Sequence, residues 1–131
     1  MNERIKKELE ILAKEFPGIK YKDDWIFILN YKLPPNIWNR NQTSICFQIP
    51  VSYPGEPPYG FCVPIGIRIK SGEGEKAPSN YTEPSPTIFE GEWGKFSWIH
   101  DNSWRATSDI NTGGNLLNFV RSFADRFKEN I

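Results

Sequence analysis

Residues 52–69 read SYPGEPPYGFCVPIGIRI, and three prolines, Pro54, Pro57 and Pro58, fall within five positions of it. Proline lacks a backbone N–H and has a fixed φ, so such a run cannot belong to a hydrogen-bonded ladder. Residues 53–58 are therefore expected to form a rigid, extended loop, with Tyr53, Pro54, Pro57 and Pro58 as its structural residues. Tyr53 can pack its ring there and still bond through its hydroxyl. The residues that follow, 59–63, read as a short strand into which the loop delivers the chain.

Upstream of the loop the pattern changes period. Ile5, Leu9, Leu12, Ala13 and Phe16 recur at spacings of three and four, which predicts an amphipathic helix ended by Pro17-Gly18. DWIFILNYKL at 24–33 is rich in β-branched and aromatic residues and predicts a strand. Strict alternation puts Trp25, Phe27, Leu29 and Tyr31 on one face and Ile26 and Ile28 on the other. LPPNIWNRNQ reads as a turn, and TSICFQIPV as a second strand with Ile45, Phe47 and Ile49 on one side and Ser44, Cys46 and Gln48 on the other.

Downstream, residues 71–87 (SGEGEKAPSNYTEPSPT) are polar and rich in Gly, Pro and Ser. They read as a long surface excursion, either mobile or functional, and trimming residues 72–86 is expected to leave the fold intact. NTGGNLLNFVRSFADRFKEN then predicts a second helix with Leu116, Phe119, Val120, Phe123 and Phe127 as its buried stripe and Asn115 or Thr112 as its N-cap. Strands grouped between two helices argue for an α+β fold: an antiparallel meander flanked by an N-terminal and a C-terminal helix, in one domain over 1–131.

The totals limit the functional classes. Sixteen basic residues balance sixteen acidic ones, so no global field recruits nucleic acid or an anionic membrane. Cys46 and Cys62 stand at no metal-ligand or CxxC spacing, and with a single His the sequence predicts neither a metal site nor a cofactor. Both cysteines read as small apolar core residues inside strands. No apolar run approaches the length of a bilayer span, and the charged N-terminus is unlike a signal peptide, so a cytoplasmic location is expected.

The stretch GEWGKFSWIHDNSWRA, 91–106, holds three of the five tryptophans and the only histidine. Ser97 could act as a nucleophile only if a base activated it, and His100, three residues on, is the sole histidine available. Asp101 and Asp109 are near in sequence as orienting carboxylates. The alternative is a packed imidazole bonded to a loop carbonyl among tryptophans that cement the stretch onto the sheet. Arg105 could clamp a carboxylate or join a surface ion pair.

The first helix, the meander and the YPGEPP element together resemble the ubiquitin-conjugating-enzyme (UBC-like) fold, in which a Tyr-Pro-x-x-Pro-Pro element joins the second and third strands. In conjugating enzymes the nucleophile lies in a segment resembling Gly-Lys-Ile-Cys, followed by Trp-Ser-Pro and a helix. Here GKFSW at 94–98 is followed by SWRA at 103–106, so Ser97 stands where that resemblance expects cysteine, and the His-Pro-Asn signature is missing. A bacterial branch of the superfamily shows Trp, Ser, His and Trp-Arg in order ahead of its last helix. Trp93, Ser97, His100, Trp104 and Arg105 follow that pattern, and the resemblance spans residues 1–130.

The resemblance implies a place in a ubiquitin-like modification pathway, with a ubiquitin-like protein, an activating-enzyme homologue and a JAB-type peptidase as partners. Transthiolation needs a thiolate, since a thioester stores the energy later given to an amine. With serine at that position, the resemblance implies binding or scaffolding, with Ser97 and His100 as the catalytic pair if the protein is active. Trp93, Trp98, Asp101, Trp104 and Arg105 are then the partner-binding residues. An active transferase with this unusual nucleophile, and a protein-interaction module of the related RWD type, remain the alternatives.

Overall fold

A computed structural model describes residues 2–99 and 104–131 of the chain. Its longest strand is β2 (Trp25–Lys32), which pairs antiparallel with β1 (Lys20–Lys22) on one side and β3 (Gln42–Gln48) on the other. β3 pairs with β4 (Phe61–Pro64), β4 with β8 (Trp93–Phe96), and β8 with β7 (Tyr81–Thr82), giving a six-stranded antiparallel sheet in the order β1-β2-β3-β4-β8-β7. A separate hairpin joins β5 (Ile69–Ser71) to β6 (Gly74–Lys76). Helices α1 (Glu3–Glu15) and α2 (Leu116–Lys128) open and close the chain. The architecture is α+β, an N-terminal helix, an antiparallel sheet and a C-terminal helix.

Alternation decides which side of the sheet meets the helices. Ile26, Ile28, Ile45, Phe47, Phe61, Val63 and Phe96 point to one face, where they share a core with Ile5 and Leu12 of α1 and the apolar stripe of α2. That stripe is Leu116, Phe119, Val120, Phe123 and Phe127, each fully buried, as the spacing predicts. Phe61 stacks on Phe123 at a centroid distance of 4.1 Å, and Phe47 meets Phe119 edge-on at 5.1 Å. Burying each such ring stabilises the fold by roughly 2–3 kcal/mol. Asn2 caps α1 by accepting from the Ile5 amide at 2.7 Å, and Asn115 caps α2 by accepting from Asn118 at the same distance.

Four expectations are corrected. Tyr31 does not share a face with Trp25 and Phe27: the register slips between Ile28 and Tyr31, Asn30 takes a φ of 57°, and the bulge turns Tyr31 into the core beside Phe123 and Phe127. The segment 53–58 is not extended throughout. It starts as a turn, with the Gly55 amide bonded to the Ser52 carbonyl, and only then runs straight. The strand expected at 59–63 begins only at Phe61 and runs to Pro64, while the turn expected at 33–42 is present and buries Trp38, 2% exposed, whose indole donates to the Phe127 carbonyl at 2.8 Å.

The fourth correction concerns residues 71–87. Tyr81 and Thr82 form the sheet's edge strand, the Tyr81 ring packs on Phe96 at 4.8 Å, and Arg126 of α2 donates to the Ser79 carbonyl at 2.8 Å. Only the β5–β6 hairpin, whose Lys70–Lys76 residues are exposed, fits the surface excursion. Polar composition hid a strand held by two aromatic rings and a buried guanidinium.

The other face of the sheet carries a second, smaller cluster. Cys46, Cys62 and Trp93 are buried there, with Trp25, Phe27 and Phe89 packed around them. The cysteines are thus buried as expected, but on the outer face and away from the helices.

Candidate functional site

β8 places the end of the opening motif. Along it Phe96 points into the core and stacks on Phe61, while Trp93 and Lys95 point to the outer face. Trp93 is 5% exposed, its indole bonded to the Glu90 carbonyl and its ring beside Phe27, so it packs the outer cluster and presents little surface to a partner. Ser97 follows as an exposed residue, its backbone N–H donating to the Asn80 carbonyl at 2.9 Å.

Trp98 is pinned at both ends. Its carbonyl accepts from Gly60 at 2.8 Å, and its indole donates to the Ser122 hydroxyl of α2 at 2.9 Å. Trp104 is half-buried, donates to the Pro54 carbonyl at 2.9 Å and packs on Tyr53 with ring centroids 6.0 Å apart. The Arg105 side chain is exposed, and its carbonyl accepts from Gly114. His100 and Asp101 lie outside the described residues, so Ser97 is the member of the expected catalytic pair whose place is known. The cementing role expected of the tryptophans is thus performed by Trp98 on α2 and Trp104 on the proline loop.

Beneath Trp104 sits a polar hub absent from the sequence reading. Glu8 is 2% exposed, yet it accepts from the Tyr53 hydroxyl at 2.8 and 2.9 Å, from the Leu116 amide at 2.6 Å and from Arg4 at 2.9 Å. A carboxylate at the N-terminus of α2 meets both free amide donors and the positive end of the helix dipole. Arg4 extends the hub by donating to the Thr107 and Gly114 carbonyls. Burial, followed by the Glu8 charge, raises the Tyr53 phenol well above its ordinary value, keeping it a donor. The signal was present: Ile5, Glu8 and Leu12 share one stripe at spacings of three and four, and a charge on a buried stripe calls for partners.

Around Ser97 the surface is apolar and open. The Gly60–Trp98 bond sets residues 59–60 beside 98–99, and Tyr59 and Ile99 are exposed at 56% and 48%. The Lys95 ammonium lies 5.6 Å from the Tyr59 ring centroid. A depression of about 250 Å³ adjoins them, walled by Pro57, Tyr59 and Lys95 and by Trp25, Gln48 and Cys62 of the outer face. Tyr59 and Ile99 carried no motif, and only pairing across the sheet brings Tyr59 beside Lys95 of the GKFSW segment.

Among the described residues no group of three His, Cys, Asp or Glu side chains is placed to hold a metal ion, and no helix is long and apolar enough to cross a membrane. No protein-family model, curated protein or solved structure matches the chain.

Proposed function

We propose that this chain is a UBC-like protein of a ubiquitin-like modification pathway that binds or scaffolds its partners without forming a thioester. The observation that carries the reading is the exposed Ser97 immediately after β8, flanked by the exposed side chains of Tyr59 and Ile99. Ser97 occupies the place where the resemblance expects a thiol. The two thiols of the chain instead lie in the outer cluster, and a hydroxyl forms at most an oxyester. The helix–meander–helix order and the Tyr53 loop anchored on α1 support the UBC-like assignment.

The partners on this reading are a ubiquitin-like protein and an activating-enzyme homologue, with a JAB-type peptidase acting in the same pathway in the cytoplasm. The contact surface comprises Ser97, Ile99 and Tyr59, and the exposed Arg105 is available to a carboxylate. Rigid hydrogen bonds from Trp98 and Trp104 hold the backbone on either side of it, which lowers the ordering cost of association.

The test is a charging reaction with the ubiquitin-like protein, its activating enzyme and ATP, read on reducing and non-reducing gels. The reading expects no adduct on wild type, Ser97→Ala or the Cys46→Ser/Cys62→Ser protein, together with a measurable non-covalent complex. An adduct lost in Ser97→Ala establishes a transferase with a serine nucleophile. Absence of both adduct and complex leaves the RWD-type interaction module as the better description.

A further inference from the structure

Cys46 and Cys62 are directly opposite one another on adjacent antiparallel strands. Opposed residues in such a pair have Cα atoms about 4.5–5.5 Å apart, inside the range of about 4.4–6.8 Å that a disulfide spans. Both are free thiols, side by side across the β3–β4 pairing. Sequence separation and the absence of a CxxC spacing concealed the pair; only the β3–β4 register creates it.

The two sulfurs are not equivalent. Cys62 forms part of the wall of the 250 Å³ depression and of a second one of about 430 Å³, whereas Cys46 lines neither. The two depressions share Trp25, Gln48, Cys62 and Lys95, so Cys62 stands where they meet, next to a cation. Ser85 lines the second depression together with Cys62. Cys62 is 3% exposed, against 0% for Cys46, and a thiol serving only as a small core hydrophobe has no use for a lysine at the mouth of two depressions.

We propose that Cys46 and Cys62 form a peroxide-oxidisable dithiol, with Cys62 as the attacking thiol in the depression beside Lys95 and Cys46 as the resolving thiol behind it. This activity is independent of the partner binding proposed above. The Cys62 sulfur attacks one oxygen of hydrogen peroxide. The O–O bond breaks, and the departing hydroxide takes up the proton released by Cys62, leaving as water. Cys62 is then a sulfenic acid. The Cys46 sulfur attacks the Cys62 sulfur, the S–O bond breaks, and the second hydroxide leaves as water with the Cys46 proton. Two thiols are oxidised to one disulfide while one peroxide is reduced to two waters.

The electrostatics agree with this division of roles. The neighbouring Cys46 thiol, with help from the Lys95 charge, favours the ionised form of Cys62 against its burial, whereas Cys62 and then burial push Cys46 up. Cys62 is the thiol that walls both depressions, so it is the one that peroxide can reach.

The experiment treats the reduced full-length protein with hydrogen peroxide, alkylates the remaining thiols and reads the intact mass. Wild type is expected to lose two hydrogens per chain and both alkylation sites together, and to recover both with dithiothreitol. Cys46→Ala is expected to stop at a sulfenic acid on Cys62 that dimedone traps. Cys62→Ala should leave Cys46 reacting at least about tenfold more slowly. Lys95→Gln, a change at a partly exposed side chain, should slow the wild-type reaction about threefold or more without altering the melting temperature. The proposal is overturned if oxidised wild type contains no intrachain disulfide, or if both single-cysteine variants react at one common rate.

Discussion

The Tyr53 hydroxyl lies 2.8 Å from one carboxylate oxygen of Glu8 and 2.9 Å from the other, joining the proline loop to α1 across 45 positions of sequence. The same carboxylate holds the first amide of α2. One buried side chain thus ties together both helices and the loop that leads to β4. Trp104 covers the junction from outside through its bond to the Pro54 carbonyl.

Removing this anchor has an unequal cost at its two ends. Tyr53→Phe deletes one donor to a charged group and is expected to lower stability by about 1.5–3 kcal/mol. Glu8→Ala strands the Tyr53 hydroxyl, the Leu116 amide and the Arg4 guanidinium together, and should cost about 3–5 kcal/mol. Urea denaturation of the two variants measures both, and a Glu8→Ala protein as stable as wild type would contradict the hub.

Gly114 sits under Trp104, where an added Cβ would come within 2.6 Å of the indole Cδ2. At Gly94 an added Cβ would collide with the Tyr81 ring. Gly114→Ala and Gly94→Ala should each cost about 1–3 kcal/mol, the first by lifting Trp104 from the loop and the second by displacing the edge strand. Thermal melts read both. Amide exchange then locates the damage, at Tyr53 and Gly55 for Gly114→Ala and at 81–82 for Gly94→Ala.

Much of this was legible from periodicity. The stripes of both helices, the alternation of β3 and the ladder-breaking prolines are local properties, and each yields its element. Glu8, Tyr31 and Tyr81 escaped because their environments are made by distant segments. A buried carboxylate is legible only once its donors are known, and a one-residue bulge at Asn30 defeats strict alternation. At the candidate site, Ser97 and the tryptophans were visible as a motif. Tyr59, Ile99 and the Cys46–Cys62 pair exist as neighbours only through strand register.

The segment 77–86 should prove indispensable while the hairpin tip does not. Deleting residues 72–73 removes exposed turn, whereas deleting 77–86 removes the edge strand, the Tyr81–Phe96 contact and the Ser79 acceptor of Arg126. The short deletion is expected to shift the denaturation midpoint little. The longer one should abolish cooperative unfolding, and a two-state transition in that variant would argue against the structural role of β7.

Acid should weaken the same region. The Arg68 guanidinium, 2.6 Å away, and then the Tyr81 hydroxyl hold the Glu83 carboxyl down to about 2, from an ordinary 4.5. A carboxyl with a depressed folded-state pKa contributes its stability above the unfolded value and loses it as pH falls from 4.5 toward 2. Solvent screening at this partly exposed pair limits the contribution to on the order of 1 kcal/mol. In Glu83→Gln that portion of the acid dependence should vanish, measured as denaturant midpoint against pH.

The most direct test of the proposed function is a chemical-shift titration of the isotope-labelled protein with the ubiquitin-like protein. The account expects shifts concentrated at Tyr59, Lys95, Ser97 and Ile99, and binding weakened about tenfold or more by Ile99→Asp with an unchanged melting temperature. Shifts confined to a distant surface, or Ile99→Asp binding as tightly as wild type, would contradict it.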